Sequence, residues 1–190
     1  MSCPTGMTSG PVSEGVLALH LLFVCTGNIC RSPTAERLAA MYAAQAHLQD
    51  FRASSAGTHA VIGHPIHRDA TAVLENMGAD PSGFAARQLN RRIASEADLI
   101  LTMTRAHRDA VLEVAPNKLF RTFTLSEAAR LASGFDAKTI ADLAPLRPHL
   151  DSAQLADVPD PIRESSEFFE TVGEQIRDLL EPIIALCQRR

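Results

Sequence analysis

Apolar stretches alternate with amphipathic ones along most of this chain. Residues 17–25, LALHLLFVC, form a short apolar run that is typical of a buried strand. Residues 32–48 carry apolar positions at helical spacing, with Pro33 in the first turn, where its missing N–H costs no hydrogen bond. The pattern therefore predicts a strand, a loop and a helix in succession.

The same alternation continues to the C-terminus. Further strands are predicted over 51–57, 97–103 and 119–125, and further helices over 66–77, 104–115 and 164–187. Pro182 is expected to kink or shorten the last helix. Residues 133–160 are rich in proline and are predicted to be irregular, with one or two short helical turns. Strands that alternate with helices predict an α/β fold, a parallel sheet with helices on both faces.

The length of 190 residues, 46% of them hydrophobic, suits one domain and is too short for two. We expect this domain to span residues 17–190. Residues 1–16 are rich in Gly, Pro and Ser and lack the basic start and apolar core of a signal peptide, so they are predicted to form a disordered N-terminal arm. The chain has no apolar run of about 18 residues, which argues against membrane insertion. A net charge of −4 gives no indication of nucleic-acid binding.

The cysteines and histidines give little indication of a metal site. The four cysteines show neither a CxxC pair nor the histidine spacing of a zinc site, and they are Cys3, Cys25, Cys30 and Cys187. His59, His64 and His67 lie close together in the sequence, but no cysteine or carboxylate set completes a site. We therefore predict no metal. So few cysteines in a chain of this length are typical of a cytoplasmic protein with free thiols.

The segment between the first strand and the first helix, CTGNICRSP, carries the candidate chemistry. In doubly wound sheets, ligands bind beyond the carboxyl ends of the strands. Gly27 permits a close approach or a positive φ, Asn28 tolerates the left-handed region, and N–H groups curled over a helix start form an anion site. The residues predicted to bind a phosphate group are Thr26, Gly27, Asn28, Ile29, Cys30 and Ser32. The GK[ST] ending of a nucleotide-binding loop is absent, so this phosphate is not expected to be that of ATP.

Cys25 and Arg31 enclose this loop in the pattern Cys-x5-Arg. The N–H dipoles and the guanidinium both stabilise a thiolate, which makes Cys25 a candidate nucleophile. Arg31 offers a planar fork to two phosphate oxygens, and Ser32 can donate a hydrogen bond to the thiolate and ease its departure. A lone cysteine at a strand end is more often a small buried apolar residue, but the surrounding loop residues favour catalysis.

The segment VCTGNICRSP resembles the phosphate loop of the low-molecular-weight protein tyrosine phosphatases. The resemblance covers most of residues 17–188 and continues in SSAGTH (54–59), ADLILTMTRAHR (97–108), FTLSEAARL (123–131) and DPIRESSEFFETV (160–172). It implies a four-stranded parallel sheet of strand order 2-1-3-4 with flanking helices. It also implies a cysteinyl-phosphate intermediate, with no metal and no cofactor.

Position by position, the resemblance implies that Cys25 is the nucleophile, Arg31 the phosphate clamp and Asp160 the general acid. Asn28 is implied to hold the backbone shape of the loop, with Ser55 as its partner. The chemistry itself also requires an acid, because expulsion of an alkoxide or phenoxide takes up a proton.

Two alternatives to an acid at position 160 stay open on the residues alone. An aspartate before Pro161 is a common way to begin a turn, and Asp157 is a second candidate for the proton donor.

The walls of the implied cleft differ from those of the eukaryotic members. Val61 and Ile162 stand where those members carry aromatic residues that sandwich the phenol ring. This pattern is similar to the bacterial branch that acts with tyrosine autokinases in polysaccharide export. The implied partners are therefore phosphotyrosine proteins, with a tyrosine kinase among the candidates.

Three other functions are compatible with a loop of this kind. Arsenate reductases resemble it but need resolving cysteines in mid-chain, and residues 31–186 contain no cysteine. Phosphoarginine phosphatases carry threonine where this chain has Ile29, so Ile29 favours tyrosine. A non-catalytic phosphate-binding adaptor is the third, and the joint presence of nucleophile, clamp and acid argues against it.

Overall fold

A computed structural model describes residues 18–151 and 155–189, so the arm predicted for residues 1–16 lies outside the described residues. Four strands form one sheet, and they are β1 (Leu19–Cys25), β2 (Phe51–Gly57), β3 (Leu99–Thr102) and β4 (Thr122–Thr124). Their order is β2-β1-β3-β4, and each neighbouring pair is parallel. The parallel sheet and the strand order 2-1-3-4 are thereby confirmed.

Helices connect the strands. The α-helices are α1 (Arg31–Gln45), α2 (Arg68–Asn76), α3 (Arg91–Ser95), α4 (Arg105–Val114), α5 (Leu125–Gly134), α6 (Leu143–Leu146) and α7 (Ser166–Cys187). Short 3-10 helices lie at Pro116–Arg121, Ile140–Asp142 and Arg147–His149. The short helical turns predicted within 133–160 are therefore confirmed by the segment around α6. Within the described ranges, no helix has the length and apolar character needed to cross a membrane.

The two faces of β1 pack into two separate apolar layers. All seven residues of this strand are buried. Leu21 and Phe23 belong to the larger core cluster, which includes residues of α1, α5 and α7, whereas Leu22 and Val24 belong to a smaller cluster with residues of α3 and α4. Because successive side chains of a strand point to opposite faces, this division places helices on both sides of the sheet, as predicted.

The fourth strand is shorter than the prediction of 119–125. Residues 116–121 form a 3-10 helix that begins at Pro116, whose fixed φ suits a helical first turn, and Phe120 is 70% exposed there. After Thr124 the chain turns at once into α5, which the sequence analysis did not predict. A capping box causes this change: Thr124 Oγ1 accepts from the Glu127 N–H at 3.1 Å, and the Glu127 carboxylate accepts from the Thr124 N–H at 2.9 Å.

The long helix α7 does not end at Pro182, so of the two expected effects of this proline, shortening of the helix does not occur. It continues to Cys187, and Ile183, Ile184 and Leu186 beyond the proline are buried. The helix packs against α1, α2 and α5. Burial of this apolar stripe outweighs the one backbone hydrogen bond that proline removes.

Candidate active site

The loop between β1 and α1 turns its carbonyl oxygens outward, toward a second loop formed by residues 58–67. Backbone N–H groups of that second loop donate to four of them: Thr58 to Cys25 at 2.9 Å, His59 to Thr26 at 3.0 Å, Val61 to Gly27 at 2.9 Å and His67 to Ile29 at 2.7 Å. In a trans peptide the N–H points away from the C=O, so N–H groups of the phosphate loop are left facing its inside. This is the arrangement of an anion-binding nest.

Asn28 holds the sharpest bend of this loop. Its φ of 55° lies in the left-handed region, and its side chain is fully buried. Nδ2 donates to Ser32 Oγ at 2.9 Å and to Ser55 Oγ at 2.8 Å, while Oδ1 accepts from the Arg87 N–H at 2.9 Å. The three bonds compensate the strained backbone, and the structure places Ser55 where the resemblance implied.

Gly27 does not adopt the positive φ that the sequence analysis allowed for it, since Asn28 is the left-handed residue of the loop. A Cβ at Gly27 would lie 3.5 Å from Ile29 and 3.6 Å from Val61, which is ordinary contact. A methyl side chain at position 27 would therefore meet no steric clash within the protein.

Two residues behind Asn28 were missed by the sequence analysis. Ser55 Oγ donates to Glu36 Oε2 at 2.6 Å, and Arg87 Nε donates to the Ser55 carbonyl at 2.7 Å. Burial raises the pKa of the Glu36 carboxyl, against the opposing effect of the bond from Ser55, and burial also lowers the pKa of the Arg87 guanidinium. Glu36 lies one turn after Ser32 on α1, which is a signal that could have found it. Arg87 offers no comparable signal.

Cys25 ends β1 with its sulfur buried beneath the loop. Sγ lies 2.9 Å from Ser32 Oγ. Because that oxygen already accepts from Asn28 Nδ2, the hydroxyl proton of Ser32 is available to the sulfur. A hydrogen bond of this kind stabilises negative charge on sulfur.

Arg31 begins α1 and is only 5% exposed. Nη1 donates to the Val158 carbonyl at 3.1 Å, and Nη2 donates to Asp160 Oδ2 at 2.8 Å. The Val158 N–H in turn donates to the Met103 carbonyl at 2.8 Å, which attaches this segment to the end of β3. The structure thus brings the predicted clamp and the predicted acid into direct contact, with Asp160 half exposed.

Asp157, the alternative acid, lies in a different environment. Its Oδ1 accepts from the Arg105 N–H at 3.1 Å and lies 3.7 Å from Arg105 Nε. The carboxylate therefore satisfies an N–H group at the first turn of α4, which is a common structural role for an aspartate.

The remaining predicted loop residues have distinct surroundings. Burial raises the pKa of the Cys30 thiol to about 12, with a further contribution from the charge of Cys25, so Cys30 is a neutral thiol at neutral pH. Ile29 is partly buried and packs against the core, and Thr26 is exposed, with its hydroxyl 2.8 Å from His107 Nε2.

The residues around the mouth of the loop are mainly aliphatic. Val61 is 38% exposed, and Ile162 is partly buried against the core, with its N–H 3.3 Å from Asp160 Oδ1. His67 stacks on Phe169 with a centroid distance of 5.0 Å. In the part of the chain that the structure describes, no three His, Cys, Asp or Glu side chains are placed to hold a metal ion.

Comparison with known proteins gives consistent matches. Residues 20–142 match the family model of the low molecular weight phosphotyrosine protein phosphatases. The low molecular weight protein-tyrosine-phosphatase Wzb of Escherichia coli K12 is 32% identical over 153 residues, which cover 80% of this chain and 84% of that protein. Among solved structures, Vibrio vulnificus Wzb in complex with benzylphosphonate aligns with a TM-score of 0.69 at 26% identity, over 88% of this chain and 98% of that one. The YwlE arginine phosphatase of Geobacillus stearothermophilus aligns with the same TM-score at 27% identity, over 88% and 91%.

Proposed function

Because this chain belongs to the low molecular weight phosphotyrosine protein phosphatase family, we propose that it hydrolyses phosphotyrosine in proteins through a cysteinyl-phosphate intermediate on Cys25. One observation carries the proposal: the buried Cys25 sulfur lies inside a loop that Arg31 closes, and Arg31 pairs with Asp160 at 2.8 Å. A nucleophile, a phosphate clamp and a proton donor therefore share one site.

In the first step, the Cys25 thiolate attacks phosphorus and forms the sulfur–phosphorus bond, as the bond to the tyrosine oxygen breaks. Arg31 and the inward N–H groups bind the phosphoryl oxygens, whose charge they stabilise in the transition state. A phosphate group bound at Arg31 competes with the Asp160 carboxylate for the guanidinium, which leaves the carboxyl group free to face the leaving group. Asp160 then gives its proton to the departing phenolate oxygen.

In the second step, water attacks the phosphorus of the cysteinyl phosphate while Asp160 takes one of its protons. The sulfur–phosphorus bond breaks, and its electron pair returns to Cys25 as a thiolate. The Ser32 hydroxyl, 2.9 Å from the sulfur, stabilises this leaving group. Inorganic phosphate is released, and the chain's own residues supply the chemistry without a metal or a cofactor.

The substrate class rests on the buried position of the sulfur. A phenyl phosphate can reach a thiol at the bottom of a cleft more easily than the shorter side chain of phosphoserine can. Phosphoarginine is the second candidate substrate, because the fold is shared with an arginine phosphatase. The apolar side chain of Ile29 offers no hydroxyl to a guanidino phosphate, which favours tyrosine.

The partners and the location follow from the same chemistry. We expect phosphotyrosine proteins as substrates, a tyrosine kinase among them. A thiol nucleophile works only while it stays reduced, and because the cytoplasm keeps thiols reduced, we expect the protein to act there.

The decisive experiment compares turnover of matched phosphotyrosine, phosphoserine and phosphoarginine peptides by the purified protein. We expect the phosphotyrosine peptide to be cleaved fastest. A preference for phosphoarginine would support the second candidate, and binding of all three peptides without turnover would identify an adaptor.

A further inference from the structure

His107 is a buried histidine next to the phosphate loop to which the mechanism above assigns no task. It lies in the first turn of α4, and only 7% of it is exposed. Both ring nitrogens are hydrogen-bonded: Nε2 lies 2.8 Å from Thr26 Oγ1, and Nδ1 lies 2.9 Å from Thr104 Oγ1. The ring thus joins the residue after Cys25 to the N-cap of α4.

The hydrogen bonds define the protonation of this ring. Thr104 Oγ1 already accepts from the His107 backbone N–H at 3.1 Å, so its own proton is available to Nδ1. That leaves Nε2 to carry the ring proton and to donate to Thr26, an assignment made from the hydrogen-bond network. Burial, with the nearby charge of Arg31, lowers the pKa of His107 to about 4, in keeping with a neutral ring.

The first turn of α4 also holds the segment that carries the proposed acid. Asp157 accepts from the Arg105 N–H at 3.1 Å, and the Val158 N–H donates to the Met103 carbonyl just before this turn. The carbonyl of Val158 then accepts from Arg31. One helix start is therefore bonded to the nucleophile loop on one side and to the acid segment on the other.

Thr26 follows Cys25 directly and is bound through both its main chain and its side chain. Its carbonyl accepts from the His59 N–H at 3.0 Å, and its hydroxyl is bound by His107. With both groups held, Thr26 and the peptide that joins it to Gly27 have a defined orientation. Loss of the His107 bond frees one side of that residue.

We propose that His107 is a positioning residue that fixes Thr26, and with it the phosphate loop, relative to the α4 start and the Asp157–Asp160 segment. The inference rests on the proposed function for its catalytic consequence, but not for its effect on anion binding. His107 contacts no reacting atom in this role. It acts through Thr26.

Two conservative variants separate this role from simple filling of space. The amide of a glutamine can reach the position of Nε2 and bind Thr26, whereas the shorter asparagine reaches only the position of Nδ1 and binds Thr104. We expect His107→Asn to weaken binding of inorganic phosphate about tenfold, because without the bond to Thr26 only about a tenth of the molecules would keep the loop in its binding arrangement. It should lower kcat/KM for a phosphotyrosine peptide by about 10- to 100-fold, because small misplacements of catalytic groups are costly. His107→Gln should stay within about threefold of wild type in both.

His20 provides a matched control. It is also a buried histidine with both ring nitrogens bonded, to Ser54 Oγ at 2.6 Å and to the Glu96 carbonyl at 3.0 Å, but it lies near the start of β1. His20→Asn should lower the melting temperature while leaving phosphate affinity unchanged.

The phosphate-binding measurement, by calorimetry, does not require turnover. A wild type that binds phosphate but cleaves no phosphotyrosine would therefore contradict the proposed function and leave the role of His107 testable. Phosphate binding by His107→Asn within about twofold of wild type would overturn the positioning role. So would equal losses in His107→Gln and His107→Asn, or an equal loss in His20→Asn. In a double-mutant cycle, Thr26→Val should cost little more phosphate affinity in the His107→Asn background, because the bond between the two residues is already gone.

Discussion

The loop that carries the proposed nucleophile and the segment that carries the proposed acid are held in place in very different ways. Four carbonyl oxygens of the loop after β1 accept from the 58–67 loop, and Asn28 is fully buried with three hydrogen bonds. Asp160, in contrast, is half exposed, and its closest bond is the one to Arg31. The proposed anion site is therefore built before substrate arrives, whereas the position of the proposed acid depends on its contact with Arg31.

This difference indicates how the two regions would respond to substitution. Changes in the loop should affect binding and chemistry for every phosphate ester, because they disturb a preorganised set of donors. Changes at the acid should depend on how much help the leaving group needs.

The largest effect is expected at the nucleophile. Cys25→Ser should lower kcat by about 10⁴-fold or more, as removal of a catalytic nucleophile does. Binding of inorganic phosphate should remain measurable by calorimetry, because the N–H groups and Arg31 stay in place. Residual turnover above about a tenth of wild type would contradict the assignment of Cys25.

The acid should show a loss that depends on the leaving group. Asp160→Ala should slow hydrolysis of phosphotyrosine or phenyl phosphate by roughly 10²- to 10⁴-fold, the range of positioned acid catalysis. The loss should be smaller for p-nitrophenyl phosphate, whose phenolate leaves without a proton. Steady-state kinetics with the two esters give the comparison.

Asp157→Ala is the control for this prediction. Its carboxylate binds the start of α4, so we expect a loss of stability of about 1 kcal/mol, as for other helix-cap residues, with similar effects on both esters. A leaving-group-dependent loss in Asp157→Ala, without one in Asp160→Ala, would reverse the assignment.

The free energy of unfolding of the protein should depend on pH through His107. Its pKa is about 4 in the folded protein, below the ordinary value of 6.5, so the unfolded chain binds more protons between these values. The free energy of unfolding should therefore fall as the pH falls from 6.5 to 4, by up to about 3 kcal/mol from this group. In urea titrations, the slope of the free energy of unfolding against pH should differ between wild type and His107→Gln mainly within this window. Burial also lowers the pKa of His20, and that contribution is common to both proteins.

A smaller effect is expected at Ser55, which binds Asn28 and so supports the loop. Ser55→Ala removes one bond to Asn28 and leaves Glu36 without its 2.6 Å donor, which should cost about 1–3 kcal/mol of stability. The KM for p-nitrophenyl phosphate should also rise. Ser54→Ala, which removes a bond to His20 instead, should lower stability without changing KM. Equal KM changes in both variants would show that the rise in KM does not come from the lost bond to Asn28.

The smallest effect concerns the cleft wall. Val61→Trp should lower KM for phosphotyrosine peptides modestly, since ring contact adds about 0.5–1.5 kcal/mol. The chemical step, measured by single-turnover kinetics, should not change. Leu119→Trp, in the 3-10 helix before β4, is the control and should leave KM unchanged. An altered chemical rate in Val61→Trp would mean that this wall and the loop are not independent.

Local patterns account for the parts of the molecule that could be predicted. The apolar run of β1, the loop CTGNICR and the helix that contains Pro33 are continuous in sequence, so hydrophobic periodicity and the loop motif suffice to predict them. The start of α5 could also have been predicted, because Thr124 and Glu127 show the spacing of a capping box. The prediction for the fourth strand rested on apolar content alone, and it placed the start of the strand three residues too early.

The unpredicted parts depend on contacts between distant residues. The 58–67 loop binds the phosphate loop through backbone N–H groups, which almost any residue supplies, so no side-chain pattern marks it. The contact between His107 and Thr26 spans 81 residues, and only the pairing of β1 with β3 brings their loops together. Such contacts become visible in the folded structure alone.

The backbone character of the bonds to the 58–67 loop has a consequence for the divergence of related enzymes. Because Val61 binds the Gly27 carbonyl through its N–H, its side chain can change without loss of that bond. Ile62, the next residue, is 69% exposed, so its side chain can change as well. Substrate preference can therefore drift by point substitution while the reaction itself is inherited intact.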